Sequence, residues 1–293
     1  MYSYQVKHPL LRPIVKQAYA FTLSPGSLDS MTAIPTGNVF LIFAWGDGTS
    51  ITRKPNAFER TEYRNLCVSG QQLEVANHCV QEGEVNIIGI ELTPDAIYQF
   101  FGVPQYEFTG MVPQLEDTWS TKASLLYRQV IEETDPAKQF ALIERFLCQR
   151  IISKDWKENA MIAEAIYLLR QSNGNLDIPS LADSLRVSPR TLQRRFLQAV
   201  GISPKVYGNI IRFNYAFKQC MLYKKHVLDV VSEAGYYDQP HFVHHFKKVF
   251  GTSPGRFFDE QEKVLHFLKD EEDQYPLYAL ADTLTDLQKL YVF

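Results

Sequence analysis

Cysteine is scarce in this chain. Among 293 residues there are four, Cys67, Cys79, Cys148 and Cys220, and no two are close enough to form a Cys-x-x-Cys pair. That spacing argues against a cysteine zinc site and against a disulfide framework, and leaves the thiols as small buried apolar groups. No run of eighteen apolar residues occurs, so neither a membrane-spanning helix nor a membrane partner is expected. The opening stretch MYSYQVKHPLLRPIV lacks the basic start, apolar centre and small-residue cleavage site of a signal peptide, and a cytoplasmic protein is the expectation.

What is present is ordinary in total and uneven in distribution. The apolar fraction of 45% and charged fraction of 22% suit a globular protein with a sizeable core. The length suggests two domains. The net charge of −3 hides an asymmetry. Residues 1–158 carry 14 Lys and Arg against 18 Asp and Glu, residues 159–257 carry 13 against 6, and residues 258–293 carry 3 against 9. A block of net +7 between blocks of −4 and −6 points to one domain that meets a polyanion.

The pattern along the chain predicts an α+β multidomain protein. Residues 1–152 read as a β-rich regulatory domain with helices at its end. NVFLIFAWGDG (38–48) and VNIIGIEL (85–92) are strands stopped by turn residues, and PDAIYQFFG (94–102) is a short helix between Pro94 and Gly102. Beyond residue 117, apolar residues at helical spacing predict two amphipathic helices, the second opened by Pro136. Their stripe, Leu125, Val130, Phe140, Ile143 and Leu147, motivates a homodimer through residues 118–152. Residues 153–159 read as a linker, residues 160–257 as all helix and residues 258–293 as an acidic C-terminal extension. Ser180 and Ser188 are expected helix N-caps, and Gly174 and Gly201 helix ends.

The helical block is written twice. With Ser188 placed on Asp238, Phe196 falls on Phe246, Gly201 on Gly251, Ser203 on Ser253 and Pro204 on Pro254. Such an offset means one supersecondary unit used twice. Each copy is a short helix, a turn and a longer helix ending in glycine, the layout of a helix-turn-helix. Leu192, Phe196, Ala199 and Val200 form the core stripe of the first copy, and Phe242, Phe246, Val249 and Phe250 that of the second. The opposite faces carry Arg190, Thr191, Gln193, Arg194 and Arg195, and then His241, His244, His245, Lys247 and Lys248. A solvated helix normally mixes charges of both signs, whereas a helix that faces phosphates does not. A major groove admits one helix, read out near its start. Arg190, Gln193 and Arg194 in the first copy, and Gln239, His241 and His244 in the second, hold base-reading places. Ser188, Arg195, Lys247 and Lys248 suit phosphates. His241 and His245 have metal-ligand spacing, but Phe242 stands where the zinc protease pattern needs Glu, so no metal is expected.

SLADSLRVSPRTLQRRFLQAVGISPKVY and VVSEAGYYDQPHFVHHFKKVFGTSPGRF, joined by a helix containing IRFNYA, resemble the AraC/XylS family of bacterial transcription regulators. The resemblance covers about residues 160–257. It implies two units in successive major grooves, double-stranded DNA as partner and Arg212 on a phosphate. Pro240 and His244 depart from the family pattern. The first domain more loosely resembles a cupin-like barrel with a Pro-x-Gly strand start, IPTGNVFLIF, without the His-rich motif of metal cupins. That resemblance implies an effector-binding domain, its effector unknown; no cofactor is expected, and RNA polymerase is a further possible partner. The chain is read as no enzyme. Methyl-accepting DNA-repair regulators share the module, but their reactive Pro-Cys-His-Arg motif does not occur. A regulator whose first domain binds only protein is the other reading. The acidic extension is expected either to pack on its own domain or to compete with DNA for the basic face.

Overall fold

Period-two alternation in the first third of the chain becomes nine strands among the described residues, all paired antiparallel. The structure, a computed structural model, describes residues 2–24, 30–54, 57–61, 66–114, 116–152, 159–223 and 227–257. Most of the expected linker and the whole acidic extension lie outside them. One sheet has the order β1-β2-β9-β4-β7, made of β1 (Tyr2–Ser3), β2 (Val15–Leu23), β9 (Val85–Leu92), β4 (Val39–Gly46) and β7 (Leu66–Ser69). The second has the order β3-β8-β5-β6, made of β3 (Ser30–Ala33), β8 (Ala76–Glu82), β5 (Thr49–Lys54) and β6 (Ala57–Thr61). The expected β-rich domain is present, and its strands prove to be antiparallel.

Alternation along the strands sends the two faces of the first sheet into different cores. Val39, Leu41 and Phe43 of β4, with Ile88, Ile90 and Leu92 of β9, face α1 (Ala96–Phe101), α2 (Glu116–Glu132) and α3 (Pro136–Ile152). Ala44, Val85, Ile87 and Leu23 form a smaller cluster on the other face, with Phe21 and Ile42 against it. The α1 helix ends where expected, at Gly102, whose φ of 70° is left-handed and whose N–H donates to the Tyr98 carbonyl. The stripe that motivated a homodimer is used inside the protein: Val130, Phe140, Ile143 and Leu147 are buried in the first core, and Leu125 alone of the five stays exposed. Burial against the chain's own sheet already satisfies an amphipathic helix, so the stripe does not call for a second copy.

The remaining helices are α4 (Ala160–Gln171), α5 (Ile178–Ser184), α6 (Pro189–Val200), α7 (Pro204–Tyr223), α8 (Val227–Glu233) and α9 (Gln239–Phe250). Asn159 belongs to this module rather than to a linker, because its side chain caps α4 by accepting from the Ile162 N–H. The cap of α5 is Asp177, which accepts from the Ser180 N–H; the expected Ser180 already stands inside the helix. Asp177 wins that place because a carboxylate also takes the Ser180 hydroxyl, at 2.6 Å. Helix α7 is a shared spine. Its first half (Tyr207, Ile210, Ile211) completes the core of α4, α5 and α6, and its second half (Phe213, Ala216, Phe217, Cys220) completes that of α8 and α9.

Candidate nucleic-acid interface

Two units, α5-turn-α6 and α8-turn-α9, repeat one construction. Each pairs a seven-residue helix with a twelve-residue helix. Ser188 caps α6 by accepting from the Thr191 N–H, and Asp238 caps α9 by accepting from the His241 N–H. Each long helix has proline in its first turn, where the missing N–H costs nothing, and ends at a left-handed glycine, Gly201 or Gly251. The stripes predicted for the cores are buried, Leu192, Phe196, Ala199 and Val200 in α6 and Phe242, Phe246 and Val249 in α9, except that Phe250 is only partly buried. The turns differ. Three residues separate α5 from Ser188 and four separate α8 from Asp238; Tyr237, in the longer turn, is 93% exposed.

The faces opposite these stripes are open. Arg190, Gln193, Arg194 and Arg195 on α6 are exposed, as are Gln239, His241, His244, Lys247 and Lys248 on α9. Ser188 is exposed too, though its hydroxyl is engaged with Thr191 at 2.9 Å. Arg190, Gln193 and Arg194 share one exposed face of α6 by their i, i+3, i+4 spacing, and His241 and His244 share one on α9, whereas Gln239 stands exposed at the first position of α9 and off that face. Among the described residues no cluster of three or more His, Cys, Asp or Glu could hold a metal ion.

Two side chains differ from expectation. His245 was placed on the open face, but its ring turns inward, 2.9 Å from the Tyr236 hydroxyl and against Phe213, with ring centroids 5.0 Å apart. Its pKa falls to about 4, chiefly because burial disfavours the charged ring and then because His241, Lys248, Arg212 and His244 add positive potential. The helical period explains the error. His245 follows His241 by four residues and drifts toward the Phe242–Phe246 stripe, and a longer aromatic neighbour closes over it. Arg212, expected at a phosphate, is half-buried: its Nη2 donates to the Gly174 carbonyl at 2.8 Å and its guanidinium lies 6.0 Å from the Tyr236 ring centre. It ties the end of the α4 segment to the second turn.

Sequence reasoning missed a third group of residues, where the β-rich domain meets this module. Arg170 of α4 donates to Asn38 Oδ1 at 2.7 Å and to the Tyr207 hydroxyl at 2.8 Å. Asn38 in turn donates to Glu91 Oε1 at 2.8 Å. Burial raises the Glu91 carboxyl above the usual carboxylate range, against the pull of Asn38, Arg170, Thr36 and Lys16. Asn214 of α7 donates to the Pro35 carbonyl at 2.9 Å, and Gly37, at φ 77°, lies against Tyr207 and Ile211. The Pro-x-Gly strand start is therefore one part of the first domain that rests on α7. Its sequence gave the position but not the contact.

Comparison with known proteins finds two separate family matches. Residues 181–260 match a helix-turn-helix domain family, HTH_18. Residues 7–114 match a domain of unknown function, DUF6597. The HTH-type transcriptional regulator MtrA of Neisseria gonorrhoeae is 28% identical over 112 residues, 37% of this chain and 36% of that protein, so the similarity spans about a third of the relative's length. Among solved structures, ToxT from Vibrio cholerae O395 aligns over 82% of this chain and 96% of its own with a TM-score of 0.43 and 13% identity. The C-terminal domain of AraT, a response regulator from Geobacillus stearothermophilus, aligns over 34% of this chain and 84% of its own with a TM-score of 0.31 and 28% identity. The sequence matches and the duplicated unit agree on the C-terminal module: residues 181–260 form a helix-turn-helix module of the AraC type, similar to that of known transcriptional regulators.

Proposed function

We propose that the chain is a sequence-specific DNA-binding transcription regulator in which α6 and α9 enter successive major grooves of one duplex. The observation that carries this reading is the repetition of one capped, glycine-terminated helix with an open face free of carboxylates after the cap. Arg190 and Arg194 suit bidentate contacts with guanine, and Gln193 and Gln239 suit adenine. His241 and His244 donate or accept at base edges. Ser188, Arg195, Lys247 and Lys248 fix register on phosphates. Arg212, held by Gly174, supports the module from within. The β-rich domain receives the regulating signal, from a small molecule or a protein; a thermal-shift screen against metabolites separates these.

Selection from a random DNA library with the full chain tests the reading. An enriched sequence with two half-sites about one helical turn apart is expected. With about six phosphate contacts, affinity should fall roughly a thousandfold between 50 and 200 mM salt. Arg194→Ala should cost about 1–3 kcal/mol and relax base choice in one half-site. A complex indifferent to salt, or no enriched sequence, refutes the proposal.

A further inference from the structure

The β-rich domain touches both proposed reading helices, and touches each at its C-terminal end. The last carbonyls of a helix have no partner within it and usually turn to water. Here the other domain supplies donors. Gln105, wholly buried in the 3-10 turn Gln105–Phe108, sends one Nε2 hydrogen to the Pro94 carbonyl at 2.6 Å and the other to the Val200 carbonyl of α6 at 2.8 Å. Thr109 Oγ1 donates to the Gly201 carbonyl at 2.7 Å. At the other helix, the Val75 N–H donates to the Val249 carbonyl of α9 at 3.0 Å, and the Val75 side chain is buried in the core of the second unit with Phe213, Phe242 and Phe246. Between these grips, Gly37, Asn214 and Arg170 seat the same domain on α7 and α4. The exposed base-reading side chains are left uncovered.

Each helix-turn-helix unit closes its core on its own half of α7, so bending or twisting of α7 would move one reading helix against the other. The β-rich domain spans that spine and holds both ends. Resting on the reading given above, we infer that the β-rich domain sets the separation of the two reading helices, and that Gln105, Thr109 and Val75 are positioning residues for half-site spacing, although they stand behind the DNA face. The demand for rigidity follows from duplex geometry. One inserted base pair moves a half-site by about 3.4 Å and turns it by about 34°. Hydrogen bonds to base edges tolerate only a few tenths of an ångström. A braced reader therefore rejects such an operator, and an unbraced one follows it.

The test uses the full chain and the operator that it selects. Affinity is measured on that operator, on versions with one base pair added or removed between half-sites, and on a single half-site. For the native chain, a spacing change should weaken binding at least about tenfold, toward the single half-site value. The variant Gln105→Met, Thr109→Val, Val75→Ala should keep its single half-site affinity and lose no more than about threefold on the altered spacings. A residue that only stabilised the fold would change all three affinities together. Thr109→Val removes one donor with almost no change in volume; it serves if the triple variant is unfolded by circular dichroism, and should flatten the spacing penalty in part. A folded variant that keeps the native penalty overturns the inference and leaves the DNA-binding reading intact. A native chain that enriches no sequence overturns that reading, and the inference with it.

Discussion

Acid should loosen the second helix-turn-helix unit through a single side chain, His245. The folded protein holds this ring neutral, with a pKa lowered from 6.5 to about 4. Desolvation is the main cause, and the charges that face the ring, His241, His244 and Lys248 from α9 and Arg212 from α7, all act in the same direction. Tyr236, at 2.9 Å, offers a hydroxyl and no charge. In the unfolded chain the imidazole takes up its proton near 6.5, so between that value and about 4 the unfolded state binds more protons. Stability from this group is thus complete above pH 6.5 and is lost as the pH falls to about 4. At 1.36 kcal/mol per pH unit, the loss across that window is about 3 kcal/mol. Glu91 acts in the opposite direction, because its raised pKa makes stability fall as pH rises above the usual carboxylate value of 4.5. The native curve alone therefore mixes two slopes. His245→Gln keeps an acceptor for Tyr236 and removes the titration. Urea unfolding of both proteins, followed by circular dichroism from pH 7 to 4, should give a difference flat above 6.5 and narrowing by about 3 kcal/mol below it. A difference that stays constant to within about 0.5 kcal/mol would show that burial of the ring does not govern its proton.

The boundary between the domains gives two further expectations. Arg170→Met leaves Asn38 Oδ1 without its guanidinium donor, deprives the Tyr207 hydroxyl of the Arg170 Nε–H and takes a cation from near buried Glu91, and should cost about 3–5 kcal/mol in urea unfolding. A loss under about 1 kcal/mol would mean that water replaces the side chain. Gly37→Ala puts a methyl group 3.0 Å from Tyr207 Cε2 at a backbone φ of 77°, and about 1–2 kcal/mol of destabilisation should appear as a lowered thermal midpoint. An unchanged midpoint would show that the Pro-x-Gly turn does not press on α7.

The second half of the chain was legible because its information is local and repeated. Ser188, Asp238, Gly201 and Gly251 mark helix ends by caps that need only their near neighbours, and the stripes of α6 and α9 follow from 3.6-residue periodicity. The same locality explains the errors. Ser180 has cap chemistry, but the Asp177 carboxylate, which takes both its N–H and its hydroxyl, holds the cap. The α2–α3 stripe showed that something covers it, not what does, and the sheet of its own domain proved to be the cover. His245 and Arg212 have the composition of a DNA face, yet Tyr236, Phe213 and Gly174 draw them inward. The sequence by itself determined a duplicated, capped, positively biased pair of helices beside a β-rich domain, because periodicity, caps and charge are properties of short segments. Only the tertiary structure decided that Gln105, Thr109 and Val75 meet the ends of α6 and α9, since those contacts join residues 92 to 174 positions apart and no local pattern encodes a partner so remote.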